Sequence, residues 1–151
     1  MLVVILYSLL NPEFHFWPPP TITSWKRKVF FILFRSMLYA LIALTVLRLR
    51  AEGTSFTTES VVGAILLVAG FGSAFASTLE LGWKNAFGDK NGLAKNGWFR
   101  LSRNPVYIVT WVGMLGWSLL ADSWQISIVL SVWAAIYFVA IFLEERWLEE
   151  V

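Results

Sequence analysis

Between Arg103 and Glu145 the chain runs Arg-Asn-Pro-Val-Tyr, then two apolar stretches parted by a short polar break at Asp122, then Glu-Glu-Arg-Trp-Leu. Arg103 lies 19 residues before Asp122, and Glu144 lies 22 residues after it. At about 1.5 Å per helical residue each arm covers roughly 30 Å, the thickness of a bilayer core. A tight turn at Asp122 makes the segment a helical hairpin and returns both polar ends to one membrane surface. An arginine, an asparagine, a tyrosine and two carboxylates then meet beside lipid.

The rest of the sequence fits that setting. Of 151 residues, 58% are hydrophobic and only 15% are charged, with a mean hydropathy of +0.66. A soluble domain of this size carries about 25% charge. The apolar residues also fall in long unbroken blocks, the mark of an integral membrane protein whose partner is the lipid bilayer. Nine tryptophans agree, because indole rings favour the membrane–water boundary. The isoelectric point near 9.1 reflects a net charge of only +2, and no basic stripe with interleaved aromatics is present, which excludes nucleic acid as a partner. With no cysteine and His15 as the only histidine, disulfides, a thiolate nucleophile and the usual zinc sites are excluded, and no metal is expected.

These features predict an all-α, multi-pass membrane domain over 1–151, with about four transmembrane helices. Residues 1–28 form an N-terminal interfacial segment. Met1 to Leu10 are apolar but too short to span, and they lack the basic start and small-residue cleavage site of a signal peptide. Three prolines at 18–20 favour extended backbone, with Phe14, Phe16 and Trp17 at headgroup level. Two spans fill 29–81, near Val29–Leu47 and Val61–Leu81. A loop follows over 82–105, and the hairpin with its acidic tail occupies 106–151, its spans near Val106–Leu120 and Trp124–Leu143. Lysines and arginines concentrate at Lys26–Lys28 and in the 82–105 loop, which four spans place on the same side. The positive-inside rule makes that side, both termini and the site cytoplasmic.

Within the first two spans, Arg35 and Glu80 either snorkel to the headgroups or form an interhelical ion pair. Ala69, Ser73 and Ser77 recur every four residues, with Gly70 and Ala74 on the adjacent line, a pattern that lets helices approach closely. Gly70-Phe71-Gly72 superficially suggests a dinucleotide loop, but no strand precedes it and it falls in mid-membrane.

Chemistry concentrates at the polar end of the hairpin. Pro105 suits the first turn of a helix, where its missing N–H costs nothing. Arg103 and Asn104 then sit beside the free amides and positive dipole end of that helix, a setting that receives an anionic group well. Tyr107, in the first turn, offers a ring face and a hydroxyl. Glu144 and Glu145 close the last span, where the helix dipole is unfavourable to carboxylates. They are either solvated or paired with Arg100 and Arg103, or else they hold the cationic part of a ligand whose carboxylate the arginine side binds. A zwitterionic, cationic cofactor matches the latter layout.

The sequence Gly97-Trp-Phe-Arg-Leu-Ser-Arg-Asn-Pro-Val-Tyr107, then a hairpin, then Glu-Glu-x-x-Leu resembles the C-terminal half of the isoprenylcysteine carboxyl methyltransferases. It is similar also to membrane phospholipid methyltransferases and their prokaryotic relatives, which implies a prokaryotic cytoplasmic membrane. The resemblance covers about residues 80–150. It implies S-adenosylmethionine bound at the cytoplasmic face without a Rossmann domain, in a pocket lined by Arg103, Asn104, Pro105, Tyr107, Glu144 and Glu145. Gly97, Phe99 and Arg100 would shape the loop above it, and Arg103, Asn104 and Glu145 would act at the reacting atoms. Two departures stand out. Asn104 occupies a position where the family's commonest motif has histidine, and asparagine takes up no proton near neutral pH. Relatives also continue past the glutamate pair with an aromatic, basic tail, whereas this sequence runs to Val151. Either such a tail lies outside it or the cofactor is held less firmly.

With no histidine or cysteine base in the motifs, the acceptor suits a nucleophile that arrives ionised. The expectation is a methyltransferase acting on a small or lipidated, membrane-associated thiol or carboxylate. Phospholipid N-methylation, a non-catalytic membrane scaffold and an NADPH enzyme resembling the sterol reductases are the competing readings.

Overall fold

The computed structural model describes residues 1–11, 13–14, 16–17, 23–53, 57–81 and 105–149; the side chains of residues 81, 105 and 144–149 are outside that description. All regular structure among these residues is helical: α1 (Leu2–Leu10), α2 (Trp25–Glu52), α3 (Thr58–Leu81), α4 (Pro105–Ala121) and α5 (Trp124–Glu149). Three helices are long and apolar enough to cross a membrane, within Trp25–Glu52, Thr58–Glu80 and Trp124–Leu143. The fourth is shorter. α4 has 17 residues, about 25 Å of helix, and covers the span expected near Val106–Leu120. Large apolar side chains remain exposed on the outer faces, among them Ile32, Tyr39, Leu47, Ile65, Val68, Phe75 and Phe142. On a chain this apolar they are the lipid-facing surface of an integral membrane protein.

The tightest packing joins α3 to α4, which run antiparallel with their backbones touching. A Cβ added to Gly70 would lie 2.7 Å from the Val109 carbonyl oxygen, and one on Gly116 would lie 2.6 Å from that of Gly63. A Cβ on Gly63 would in turn meet the Leu120 amide nitrogen at 2.7 Å. No side-chain adjustment relieves such contacts. The small-residue signature of α3 therefore does pack, but along Gly63, Gly70, Ala74 and Ser77, while Ala69 is exposed. Gly70, Phe71 and Gly72 are plain helix in mid-α3. Gly113 makes room for Phe71, whose ring also meets Trp117 and Trp133 at 5.9 and 6.2 Å.

α2 attaches to α4 through Trp117, the same side chain that Phe71 of α3 meets. The indole N–H of Trp117 donates to Thr45 Oγ1 at 2.8 Å in the buried interface. Arg48 reaches the end of α4, where its Nε donates to the Ala121 carbonyl at 2.8 Å and its second guanidinium nitrogen to that of Asp122 at 2.6 Å. It also pairs with Glu52. A cation here satisfies carbonyls that a helix C-terminus leaves open. Arg35 is exposed against the Phe31 ring, 5.8 Å from its centroid. It forms no ion pair with Glu80, because α2 and α3 each pack on α4 and α5 rather than on one another.

The N-terminal segment packs against α5. Ile5 is fully buried against Ile136, Ala140 and Leu143 of α5. Ser8 accepts from the Phe16 amide and donates to the Phe14 carbonyl, folding the chain back onto α1. Phe16 and Trp17 are consequently buried against the protein, with Trp17 stacked on Phe30 at 4.2 Å. Pro12 and residues 18–20 lie outside the described residues. Ser24 caps α2, and Lys26 lies 4.4 Å above the Phe14 ring.

Gly70→Val and Gly116→Val are expected to lower stability in detergent by about 2 kcal/mol or more, since backbone cannot yield as a side chain does. Gly72→Ala meets nothing within 4 Å and should stabilise the helix by up to about 1 kcal/mol. Thermal unfolding of the three variants checks the contrast; equal behaviour would show that the close approach is not formed. Thr45→Val should cost less, on the order of 1 kcal/mol, as is usual for an interhelical hydrogen bond in lipid. In a double-mutant cycle with Trp117→Phe the two losses should not add.

Candidate functional site

The geometry of the site begins at the opposite end of the hairpin, in the turn. Asp122 has φ 42°, a left-handed conformation that a short polar side chain tolerates. Its amide donates to the Ser118 carbonyl, the Ser127 amide donates to the Ser123 carbonyl, and α5 starts at Trp124. Two residues thus reverse the chain. The hydroxyls of Ser118 and Ser127 lie 2.6 Å apart and set the register of α4 against α5.

That register fixes what meets at the other end. Tyr107, in the first turn of α4, lies edge-to-face against Tyr137, with centroids 4.9 Å apart and planes at 77°. Tyr137 makes a second such contact with Trp133, at 5.9 Å and 83°. Trp133 is only 2% exposed and is held also by Phe34 of α2 at 5.4 Å. Its indole N–H, like that of Trp111, is buried without a hydrogen-bond partner among the described residues. Both tyrosines are half-buried and pack against the α1 cluster. Pro105 falls level with about residue 140, so α5 runs on past the start of α4 for roughly 15 Å.

Of the residues read from the sequence as a site, Tyr107 is placed in full. Pro105 is the first residue of α4, and Glu144 and Glu145 lie in the helical overhang of α5, on the Tyr107 side of the hairpin. The side chains of these three are outside the description. Gly97, Phe99, Arg100, Arg103 and Asn104 fall in 82–104, outside the described residues. Tyr137 is the neighbour that sequence reasoning missed. The signal was available: a hairpin centred on Asp122 and Ser123 brings position 107 opposite the neighbourhood of 138.

A profile of one family, phospholipid methyltransferase, matches residues 58–151. The chain belongs to that family. The match spans α3, α4 and α5, and so starts one helix earlier than the resemblance read from 80–150. That boundary coincides with the glycine-tight α3–α4 pair, which the profile takes whole. No curated protein and no solved structure matches the chain. Membership makes it a membrane methyltransferase at the level of the family and leaves the methyl acceptor undetermined.

Oxidation tests the register. In a chain with no cysteine of its own, Ser118→Cys with Ser127→Cys should form a disulfide readily, seen as the loss of two hydrogens by intact mass. Ser118→Cys with Ser131→Cys, one turn further along α5, should stay reduced. The reverse result would move Tyr107 away from Tyr137.

Proposed function

We propose that the protein is an S-adenosylmethionine-dependent methyltransferase of the membrane, binding its methyl donor at the Tyr107 end of α4. The observation that carries this is the hairpin register within the family-matched region. It sets the amino end of α4 and the overhang of α5 on one side, in the stretch where the family motifs fall. The donor set fits the group. First-turn amides of a helix point out of its amino end and favour a carboxylate, which Arg103 and Asn104 would help to hold. Tyr107 presents an aromatic wall fixed from behind by Tyr137. Glu144 and Glu145 would balance the cationic part. When bound, S-adenosylmethionine supplies an electrophilic methyl on a sulfonium. The chain's own residues bind, orient and keep water out.

The acceptor class follows from the proton. Displacement forms a bond from the nucleophile to the methyl carbon, and the electron pair of the broken carbon–sulfur bond passes to sulfur. A thiolate or carboxylate enters already ionised and asks no base of the protein, whereas an amine must first lose its proton. Asn104 cannot accept one. We therefore favour a small or lipidated thiol or carboxylate, reached from the bilayer at the cytoplasmic face. The family description favours a second reading, N-methylation of a phospholipid, for which Glu144 or Glu145 would have to serve as base.

S-adenosylhomocysteine should raise the melting temperature of the detergent-solubilised protein, and NADPH should not. Arg103→Ala and Glu145→Ala should each weaken S-adenosylhomocysteine binding by about tenfold, equivalent to about 1.4 kcal/mol. Stabilisation by NADPH alone would point to a reductase; no response to either nucleotide would support a scaffold. With labelled methyl donor, label in phosphatidylethanolamine and none in prenylated thiols or carboxylates would replace the favoured acceptor by the phospholipid.

A further inference from the structure

We infer that Tyr137 is a positioning residue for the methyl-donor pocket, acting through Tyr107. This rests on the donor-site reading above and adds to it a residue that no motif of the sequence marks.

Tyr107 stands in the first turn of α4, two residues after its first residue, Pro105. Helix backbone alone does not fix a tyrosine ring there. Besides its packing on the α1 cluster, the ring meets Tyr137 edge-to-face, at 4.9 Å and 77°. Such a geometry has a preferred orientation, because the positive ring edge of one partner seeks the negative face of the other. Tyr137 is itself fixed from below. Its ring meets Trp133 at 83°, and Trp133 is wedged between Phe34 of α2 and Phe71 of α3. Tyr137 also touches both apolar clusters of the bundle, the one built on α1 and Phe30 and the one built on Trp117 and Trp133. The ring of Tyr107 is thereby set by a rigid column that draws on α2, α3 and α5 together. Glu144 follows Tyr137 by seven residues, two turns of the same helix, so tyrosine and glutamate share a register position on α5 about 10 Å apart along its axis.

The test is a double-mutant cycle read by S-adenosylhomocysteine affinity in detergent. Tyr137→Phe keeps the ring and should bind within about twofold of wild type. Tyr137→Ala should lose about tenfold, and Tyr137→Leu, which keeps volume for folding, should lose nearly as much. Tyr107→Ala should also lose affinity, and the double variant Tyr107→Ala/Tyr137→Ala should bind no more weakly than Tyr107→Ala alone. Additive losses would overturn the inference, because Tyr137 would then act independently of Tyr107. So would wild-type affinity in both Tyr137→Ala and Tyr137→Leu, or a Tyr137→Phe loss as large as that of Tyr137→Ala. If wild type itself fails to bind S-adenosylhomocysteine, the donor-site reading fails, a result distinct from every pattern within the cycle.

Discussion

The backbone contact between α3 and α4 is the constraint on which the bundle depends. In lipid there is little hydrophobic reward for bringing helices together, since acyl chains solvate leucine as well as another helix does. Association then relies on dispersion at short range and on the few polar groups that find partners. Gly63 and Gly70 on one helix, with Gly113 and Gly116 on the other, remove the side chains that would hold the axes apart. The gain is collective, because each atom pair contributes only about 0.1–0.2 kcal/mol but the interface runs through several turns. The hydrogen bond from Trp117 to Thr45 is a single directional link between α4 and α2. It aligns α2 more than it holds the bundle together.

Pinning α4 in this way has consequences at both of its ends. At one, Arg48 satisfies the last carbonyls and the left-handed Asp122 turns the chain within two residues, so α5 cannot drift from its register. At the other, the same register brings Tyr107 of α4 edge-to-face against Tyr137 of α5, which Trp133 holds in turn.

Much of this was legible in the residues, for physical reasons. Long apolar blocks set the helices, and Asp122 flanked by serine marked the turn because short polar side chains tolerate left-handed backbone. The span limits differ mostly where polar residues extend a helix beyond the apolar core: α2 runs on to Glu52 because Arg48 and Glu52 pair along it. Less was legible where burial is decided by distant partners. Nothing in the sequence around Phe16 and Trp17 names what they pack on; their burial comes from the Ser8 bridge and the Phe30 ring. The small residues of α3 announced close packing but not their partner, because a glycine line identifies its mate only once both helices are placed. Of the candidate site, the sequence supplied the residue types, and the structure supplied the alignment of Tyr107 with a tyrosine that no motif contains.

The family match and the packing divide the chain at the same place, and the division bears on how the site is built. Residues 58–151 hold the hairpin and its glycine-paired neighbour. Residues before 58 supply α1 and α2, whose side chains pack on α5 beside Tyr137. Ile5, Phe16 and Phe30 cover the α5 face at Ile136, Ala140 and Leu143, while Phe34 braces Trp133 beneath Tyr137. The segment ahead of the matched residues thus shapes the packing around Tyr137 and, through the edge-to-face contact, around Tyr107. A stretch with no motif of its own thereby takes part in holding the aromatic ring at the start of α4.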